Sequence, residues 1–341
     1  MSSSRRVVVA TGYDLILRHL AGALAAAGHE VVGVLTVSAA PPVVAAAAGL
    51  GCPSFAVPLM PGEMNIARGM RTNPAYDASV RASVEGLDAL EADFLVGWAI
   101  NVLPEDIFGS ARHAINVHPS DLPRYRGGFP LEAQILDGQR ALYVTVHETA
   151  RRIDAGAVLT RSEALKIKRS DTMTSLLNRA LPVGARLAAG TVTHYGALPP
   201  VPPTHVEAEV PHAWGMKRVR SADGRVSNTG VLGRLRIEWA LDTAEDISRA
   251  ARAFDMIGGA FTDVDGRMFR ITRSRAVRRG GSAPPGEVLA RDGAALEVQA
   301  LDAVVQLEGR FHEGAGTVEP GQRFVSTTPI SKLLQFEGAE R

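Results

Sequence analysis

Short apolar runs and helical repeats alternate along the first half of the chain. Val7 to Ala10 is a continuous apolar run followed by a turn at Gly12. Asp14 to Ala27 has the apolar spacing of a helix that ends at Gly28. Strands that alternate with helices predict an open, mostly parallel α/β sheet. Further strands are predicted at 30–37, 54–57, 94–98, 141–147 and 158–167, and further helices at 42–50, 77–91 and from Asp171, as N-cap, toward Leu187.

The pattern changes after a cluster of prolines at Pro199, Pro200, Pro202 and Pro203, which predicts a linker near 196–230. Frequent Gly and Pro then separate short elements, as in a small β-rich domain. Two domains are therefore predicted: a Rossmann-like α/β domain over 1–202, and a linker plus a small β-rich domain over 203–341. In the second part, 233–240 alternates, 246–254 is helical, and 268–276 and 295–303 are strand-like.

Composition fits a globular protein with buried cores. The 341 residues are 46% hydrophobic and 21% charged, and the formal net charge of +1 gives no global field toward nucleic acid or membrane. The single cysteine, Cys52, excludes an intramolecular disulfide framework and fits a reducing compartment. Because the run from Val7 to Ala10 is too short for a signal sequence or a membrane span, a soluble, cytoplasmic protein is expected.

The most informative segment runs from Ile115 to Gly128. Asn116 and His118 are two positions apart, so at a strand end their side chains point the same way. An amide donor and an imidazole that project together can bind an oxygen that becomes negative during acyl transfer. Asp154, farther along, could hold or charge that imidazole. A lone Asn or His at a strand end is usually only a hydrogen-bonded polar group, so the interpretation depends on all three residues together.

This segment resembles the folate-dependent formyltransferases, the superfamily that includes methionyl-tRNA, glycinamide ribonucleotide and sugar-amine N-formyltransferases. These enzymes carry an Asn-x-His pair, a Leu-Pro-x-Tyr/Phe-Arg-Gly loop, a strand with a threonine and an Asp-x-Gly. One departure is Leu142-Tyr143, where the family often has Thr-Gly, and this bulk would reshape the acceptor side of the pocket. The matching residues are Asn116, His118, Leu122-Pro123, Tyr125-Arg126-Gly127, Thr145, Asp154 and Gly156.

The resemblance implies catalytic roles for three residues. Asn116 would donate its amide to the oxyanion, and one such donor lowers a barrier by roughly 3–4 kcal/mol. His118 would donate as an imidazolium or take part in proton transfer. Asp154 would stay ionised, raise the pKa of His118 by its charge and position a proton-relay water. No metal is implied.

The resemblance also implies a slot for the pterin ring of 10-formyltetrahydrofolate, the expected co-substrate. The segment Gly97 to Pro104 resembles the part of the family that lines this slot, with the backbone of Asn101 and Leu103 bonding the ring. A core strand over Phe94 to Leu103 that leads into a Pro-stopped loop is compatible with this slot. The expected cofactor-binding residues are Trp98, Asn101, Val102, Leu103, Thr149 and Ile153.

Other residues are expected to line the acceptor side or to shape its loops. Arg126 is interpreted as a loop anchor, since guanidinium groups bind carbonyl oxygens readily. His147 alternates with Thr145 on one strand face, and related enzymes often have His or Met there. It could be pocket wall or core. The full set is Pro119, Ser120, Tyr125, Arg126, Gly127, Thr145 and His147.

The second half resembles, more loosely, the corresponding region of methionyl-tRNA formyltransferases. That region is a small, open β-barrel of oligonucleotide-binding type, so an OB-like C-terminal domain is expected. The resembling segments are 236–239, 252–254, 258–261 and 285–288.

Features that the chain lacks limit which classes of acceptor are expected. The turn from Ala10 to Asp14 lacks the phosphate cradle of glycinamide ribonucleotide enzymes. Ser38 to Gly51 is short and uncharged where methionyl-tRNA enzymes carry a basic insertion. From Val206 onward nineteen Lys and Arg balance nineteen Asp and Glu, whereas phosphate binding needs clustered cations.

The sequence therefore predicts N-formylation of a small-molecule amine or hydroxylamine, such as an amino sugar or N-hydroxyornithine, in natural product biosynthesis. tRNA is the less favoured partner, no membrane is involved, and a homodimer is possible. Three alternatives stay open: a methionyl-tRNA formyltransferase, a 10-formyltetrahydrofolate hydrolase, and a non-catalytic folate- or oligonucleotide-binding protein.

Overall fold

The computed structural model describes residues 4–37, 40–57, 74–100, 103–197, 199–201, 218–220, 226–228, 231–277 and 280–328. These residues form two compact units, and neither unit is continuous in sequence. The first contains described residues from Met1–Gly128, Leu142–Leu165 and Asn178–Ala208, and the second contains those from Phe129–Ala141, Lys166–Leu177 and Glu209–Arg341. Most of the predicted linker at 196–230 lies outside the described residues.

The first unit is built on a seven-stranded sheet with the order β3-β2-β1-β4-β5-β7-β8. The pairs among β1 to β5 are parallel, whereas β7 is antiparallel to both β5 and β8. A separate two-stranded sheet pairs β6 with β9. The strands up to this point are β1 Arg6–Ala10, β2 Glu30–Val37, β3 Ser54–Val57, β4 Phe94–Trp98, β5 His113–His118, β6 Ala141–Leu142, β7 Thr145–Glu148, β8 Val158–Arg161 and β9 Leu165–Lys166.

Two central strands are apolar because both of their faces are covered. Every residue of β4 is buried, as are Val7 to Ala10 of β1. Such continuous runs are typical of parallel strands inside an α/β fold. Helix packing completes the core, since α1 buries Leu17, Leu20 and Leu24. The helices are α1 Asp14–Ala26, α2 Pro41–Gly49, α3 Pro74–Asp88, α4 Glu105–Phe108, α5 Pro130–Leu136, α6 Met173–His194 and α7 Ala244–Ala253.

None of the described helices combines the length and apolar character that a bilayer crossing requires.

The second unit contains a six-stranded antiparallel sheet with the order β14-β15-β16-β13-β12-β17. Its two ends approach each other, because the Phe324 N–H donates to the Gly286 carbonyl at 2.9 Å. This half-barrel and the mostly parallel first sheet confirm the predicted fold class. The strands are β10 Arg218–Arg220 and β11 Val226–Asn228, which pair separately, then β12 Ala260–Val264, β13 Arg267–Val277, β14 Val288–Asp292, β15 Ala295–Gln299, β16 Val304–Phe311 and β17 Phe324–Val325.

Two predicted strands were wrong in extent. The segment 141–147 is not one strand, because it leaves one sheet for another between Leu142 and Thr145. At that break the Val144 N–H donates to Ser162 Oγ at 2.9 Å instead of joining either sheet. The segment 158–167 divides in the same way into β8 and β9. In 141–147 the buried, alternating Leu142, Val144 and Val146 continue across the break, so the apolar pattern alone did not reveal it.

Two other element predictions also need correction. α6 continues past Leu187 to His194, and the residue before its first turn is Thr172, whose Oγ1 accepts from the Ser175 N–H at 3.2 Å. Asp171 therefore is not the N-cap, and its carboxylate accepts from the Lys168 N–H at 2.6 Å. The alternating segment 233–240 is not a strand. It begins inside the 3-10 turn Val231–Arg234 and makes one bridge, between Arg236 and Phe261.

Candidate active site

Asn116 and His118 lie at the carboxyl end of β5, where ligands bind in open α/β sheets. Their side chains share one face, as strand alternation requires. Asn116 is in register with Gly97 on β4 and with His147 on β7. A Cβ on Gly97 would lie 2.9 Å from Asn116 Oδ1, so this glycine leaves room for the amide. No local sequence signal predicts this role of Gly97, because the role depends on strand pairing between distant segments.

Asp154 comes from the loop after β7 and points its carboxylate at two imidazoles. Its Oδ2 lies 3.5 Å from His118 Nδ1, and its Oδ1 lies 3.6 Å from His147 Nε2. The same Oδ2 accepts the Gly127 N–H at 2.7 Å. All three side chains are nearly buried, with relative exposures of 12% for Asp154, 6% for His118 and 3% for His147. Asn116, His118 and Asp154, the three residues predicted to be catalytic, therefore lie in one cluster.

Two loops are tied together beside this cluster. The Arg126 guanidinium donates to the Ile153 carbonyl through Nε at 2.8 Å and also through Nη2. His118 Nε2 lies 2.8 Å from the Tyr125 carbonyl oxygen. Tyr125 and Asp154 both have positive φ, +58° and +47°, which non-glycine residues adopt only when their surroundings enforce it. The loops therefore hold His118 and Asp154 in fixed positions.

Pro119, Ser120 and Thr145 support the same loop from inside. Thr145 Oγ1 donates to the Ser120 carbonyl at 2.6 Å, and Ser120 Oγ donates to the Arg124 carbonyl at 2.7 Å. All three residues are buried. The hydroxyl groups of Ser120 and Thr145 satisfy main-chain carbonyls, so these two side chains shape the loop.

The ionisation of the cluster follows from burial and from its neighbours. Burial lowers the pKa of His118 from its ordinary value, and the opposing charge of Asp154 and the Tyr125 carbonyl do not offset it. Burial alone would raise the pKa of Asp154, but the positive charge that His118 and His147 carry when protonated, together with the Gly127 N–H, brings it well below its usual range. The expectation that Asp154 pulls the His118 pKa upward has the right sign. The net shift is nevertheless downward, because desolvation is larger.

A neutral His118 has a defined tautomer. A carbonyl oxygen can only accept, so Nε2 carries the hydrogen that goes to Tyr125, and Nδ1 keeps a lone pair that faces Asp154. At neutral pH the site thus pairs an ionised carboxylate with an imidazole base. Such a pair can take up a proton at Nδ1 and stabilise the resulting imidazolium.

The structure gives less support to the residues predicted to line a pterin slot. The Trp98 side chain is buried against Gly184, where an added Cβ would lie 2.4 Å from the indole. It belongs to the core, so only its main chain could reach a ligand. Leu103 is half-buried, and Asn101 and Val102 lie outside the described residues. Ala99, which directly follows Trp98, has φ +47°, and its carbonyl accepts the Gly12 N–H at 3.3 Å.

The opposite side of the predicted slot is engaged in main-chain bonds. The Thr149 N–H donates to the Ala114 carbonyl at 2.8 Å, and the Ile153 carbonyl accepts from Arg126. Slot contacts of these residues stay a prediction. Within the part of the chain that the structure describes, no group of three or more His, Cys, Asp or Glu is arranged to hold a metal ion.

The departure at Leu142-Tyr143 has a local explanation. Leu142 is fully buried, and the Tyr143 ring lies 5.2 Å from the Arg161 guanidinium, which also pairs with Asp121. The extra bulk is therefore taken up by the core and by a cation–π contact.

The fold and this site define a class of enzyme, and comparison with known proteins agrees. Residues 4–189 match the family described as formyl transferase, and residues 234–326 match its C-terminal domain. The chain therefore belongs to the formyl transferase family. One relative is the methionyl-tRNA formyltransferase of Thiobacillus denitrificans, 31% identical over 282 residues, which cover 81% of this chain and 82% of that protein.

Solved structures share the fold at low sequence identity. HypX from Aquifex aeolicus in complex with tetrahydrofolic acid matches with a TM-score of 0.58 and 16% identity over 99% of this chain. The chain spans about half, 48%, of that protein. The sugar 3N-formyl transferase WlaRD, in the presence of dTDP and 5-N-formyl-THF, matches with a TM-score of 0.57 and 12% identity. That match covers 90% of this chain and 98% of WlaRD.

Proposed function

We propose that the protein transfers a formyl group from 10-formyltetrahydrofolate to an amine. The observation that carries this proposal is the convergence of Asn116, the buried His118 and the largely buried Asp154 at the carboxyl end of β5. An amide donor can bind the oxyanion of acyl transfer to an amine, a neutral imidazole can take the proton, and an ionised carboxylate can stabilise the imidazolium that forms. Membership of the formyl transferase family supports the same conclusion.

The residues present fit a formyl donor. Gly97 leaves room for the Asn116 side chain, whose Oδ1 faces that glycine, and 10-formyltetrahydrofolate would supply the formyl carbon beside the Asn116 Nδ2 group. The Asn116 N–H that does not face His147 donates to the carbonyl oxygen as negative charge develops on it. Because this donor is already oriented, its contribution in the transition state requires little reorganisation.

His118 handles the proton. As the amine nitrogen bonds to the formyl carbon, His118 Nδ1 takes the proton that the amine loses. Asp154, 3.5 Å away, stabilises the imidazolium, which the Tyr125 carbonyl also holds through Nε2. When the bond from the folate nitrogen to the formyl carbon breaks, that nitrogen receives the proton from His118. The imidazole is then neutral again, and no proton has been gained or lost overall.

We further propose that the acceptor is a small amine or hydroxylamine. The turn at Ala10 to Asp14 has no phosphate cradle, and Ser38 to Gly51 carries no charge. Lys and Arg balance Asp and Glu from Val206 onward. A protein that neutralises several tRNA phosphates needs a basic surface. The sugar 3N-formyl transferase with the same fold illustrates a small acceptor.

The test is a transfer assay with purified protein and 10-formyltetrahydrofolate. The acceptor panel contains nucleotide-linked amino sugars, diamino acids and N-hydroxyornithine, and mass spectrometry follows replacement of an amine hydrogen by a formyl group. We expect formylation of at least one small amine, with loss of activity in Asn116→Ala. Release of formate with no acceptor modified would instead indicate a hydrolase, and the transfer proposal would be wrong.

A second candidate is a methionyl-tRNA formyltransferase, which the 31% identity to the Thiobacillus denitrificans enzyme favours. Methionine-charged initiator tRNA therefore belongs in the same panel. Rapid formylation of this tRNA together with inert small amines would decide for the second candidate. The reverse result, with tRNA binding absent at physiological salt, would decide for the first.

A further inference from the structure

His147 lies directly opposite Asn116 in the antiparallel pair of β5 and β7. Its Nε2 is 3.1 Å from Asn116 Nδ2, and its Nδ1 is 2.7 Å from the Glu148 carbonyl oxygen. The side chain is almost completely buried. Both ring nitrogens are therefore engaged, one by the main chain and one by the residue that would bind the oxyanion.

These contacts determine the tautomer of the ring. The Glu148 carbonyl can only accept, so the hydrogen of a neutral His147 is on Nδ1. Nε2 then carries a lone pair, and it accepts an N–H from the Asn116 amide. Asp154 Oδ1, at 3.6 Å, is too far from Nε2 for a hydrogen bond.

The orientation of the Asn116 amide follows from this bond. Nδ2 is turned toward β7, and Oδ1 is turned toward the space left by Gly97. If the acceptor on His147 were lost, the amide could turn over and present its oxygen where the oxyanion forms. An oxygen there would repel the developing charge, so amide orientation decides whether Asn116 helps or hinders the reaction.

We propose that His147 is a positioning residue that holds the Asn116 amide with an N–H toward the reacting carbonyl. The inference rests on the proposed formyl transfer, and it assigns His147 a role through Asn116 and not through the substrate. A ring that only filled the core would act independently of Asn116. The two roles therefore make different predictions for combined substitutions.

The first experiment is a series of decreasing acceptor strength at position 147. His147→Gln supplies an amide oxygen, His147→Met a weakly accepting thioether, and His147→Phe a flat ring with no acceptor. We expect kcat to fall in that order, by roughly tenfold to a hundredfold for His147→Phe, while KM for the folate donor stays near the wild-type value. The matched control is His113→Phe, at a ring that packs on Phe94 and Tyr195.

The second experiment is a double-mutant cycle with Asn116→Ala. We expect His147→Phe to cause no further loss once Asn116 is alanine, because no amide is left to orient. Equal losses in both backgrounds would overturn the inference, as would wild-type kcat in His147→Phe. Thermal unfolding of each variant separates loss of fold from loss of rate, and His147→Gln serves if His147→Phe does not fold.

A readout without turnover separates failure of the inference from failure of the proposed function. In protein labelled with [15N]asparagine, we expect the Asn116 side-chain amide signals to move in His147→Phe and to remain in His113→Phe. An inactive wild-type protein with this shift would contradict only the formyl transfer. Unchanged Asn116 signals would contradict the hydrogen bond to His147, whatever the activity.

Discussion

Two aspartates with little exposure, one in each unit, show how differently a carboxylate can be used. Asp263 on β12 is 1% exposed and accepts four hydrogen bonds, from the N–H and hydroxyl groups of Thr327 and Thr328, at 2.5–3.0 Å. Asp154 accepts a single main-chain N–H, and the two imidazoles lie beyond hydrogen-bond distance. The hydrogen bonds to Asp263 use all of its accepting capacity. The Asp154 carboxylate makes fewer hydrogen bonds, so it can still stabilise a neighbouring imidazole that gains a proton.

The backbone shows the same contrast. Asp265 and Gly266 have positive φ because they form the two-residue turn between β12 and β13, where such values match the twist of the strands. Asp154 has its positive φ in a turn of the loop between β7 and β8, closed by the Ala155 N–H on the Arg152 carbonyl, and Tyr125 has its positive φ in the turn that follows Ser120. These two turns bring polar residues together, a setting in which unusual backbone angles are typical of active sites.

Replacing Asp154 with asparagine should have the largest effect. The amide oxygen can still accept the Gly127 N–H, so the loops keep their connection while the negative charge is lost. Without that charge the His118 imidazolium is not stabilised, and we expect kcat to fall by about 10²–10⁴-fold. Steady-state kinetics with 10-formyltetrahydrofolate and the best acceptor measures this loss. An Asp154→Asn enzyme with wild-type kcat would place the catalytic charge elsewhere.

The strand end that carries Asn116 and His118 could be predicted from the sequence, because the signals for it come from neighbouring residues. Apolar runs identified β1 and β4, and the spacing of Asn116 and His118 placed both side chains on one face of a strand end. Register between distant segments is not local. Neither the antiparallel pairing that sets His147 beside Asn116 nor the room left by Gly97 is encoded in nearby residues. The break between β6 and β7 was missed for the same reason, since apolar alternation continues through it.

The direction of the net shift in the His118 pKa could not be predicted from the sequence either. The motif indicates that a carboxylate accompanies the imidazole, and it gives the sign of that single influence. How deeply the ring is buried depends on loop packing, through contacts such as that between Arg126 and Ile153. Burial proves to be the larger influence on the His118 pKa.

Replacing Asn116 with alanine should have the next largest effect. Removing one oriented donor from an oxyanion site lowers kcat by about 10²–10³-fold, and donor affinity should change little because this bond strengthens in the transition state. Kinetics together with folate-binding titrations measures both quantities. Asn178→Ala, at an exposed position on α6, is the matched control. A large rise in donor Kd with unchanged kcat would instead identify Asn116 as a binding residue.

Replacing Asp263 with asparagine should change stability and leave catalysis intact. The asparagine amide cannot accept all four hydrogen bonds, so we expect the free energy of unfolding to fall by about 1–3 kcal/mol. Denaturant unfolding of the second unit and kcat per folded molecule are the two measurements. A loss of kcat without a loss of stability would remove the contrast with Asp154.

The smallest effect concerns the acid limb of the pH profile. His118 must be neutral to take a proton, so the rate falls as pH drops through its pKa. Because burial lowers that pKa from 6.5, the limb should lie below pH 6.5. The charge of Asp154 raises the His118 pKa, so in Asp154→Asn the limb of the residual activity should move to still lower pH. The profile of kcat/KM for the donor, corrected for separately measured ionisation of the acceptor amine, tests both shifts. A limb above pH 6.5, or one that moves upward in Asp154→Asn, would mean that the proton acceptor is not a buried imidazole facing this carboxylate.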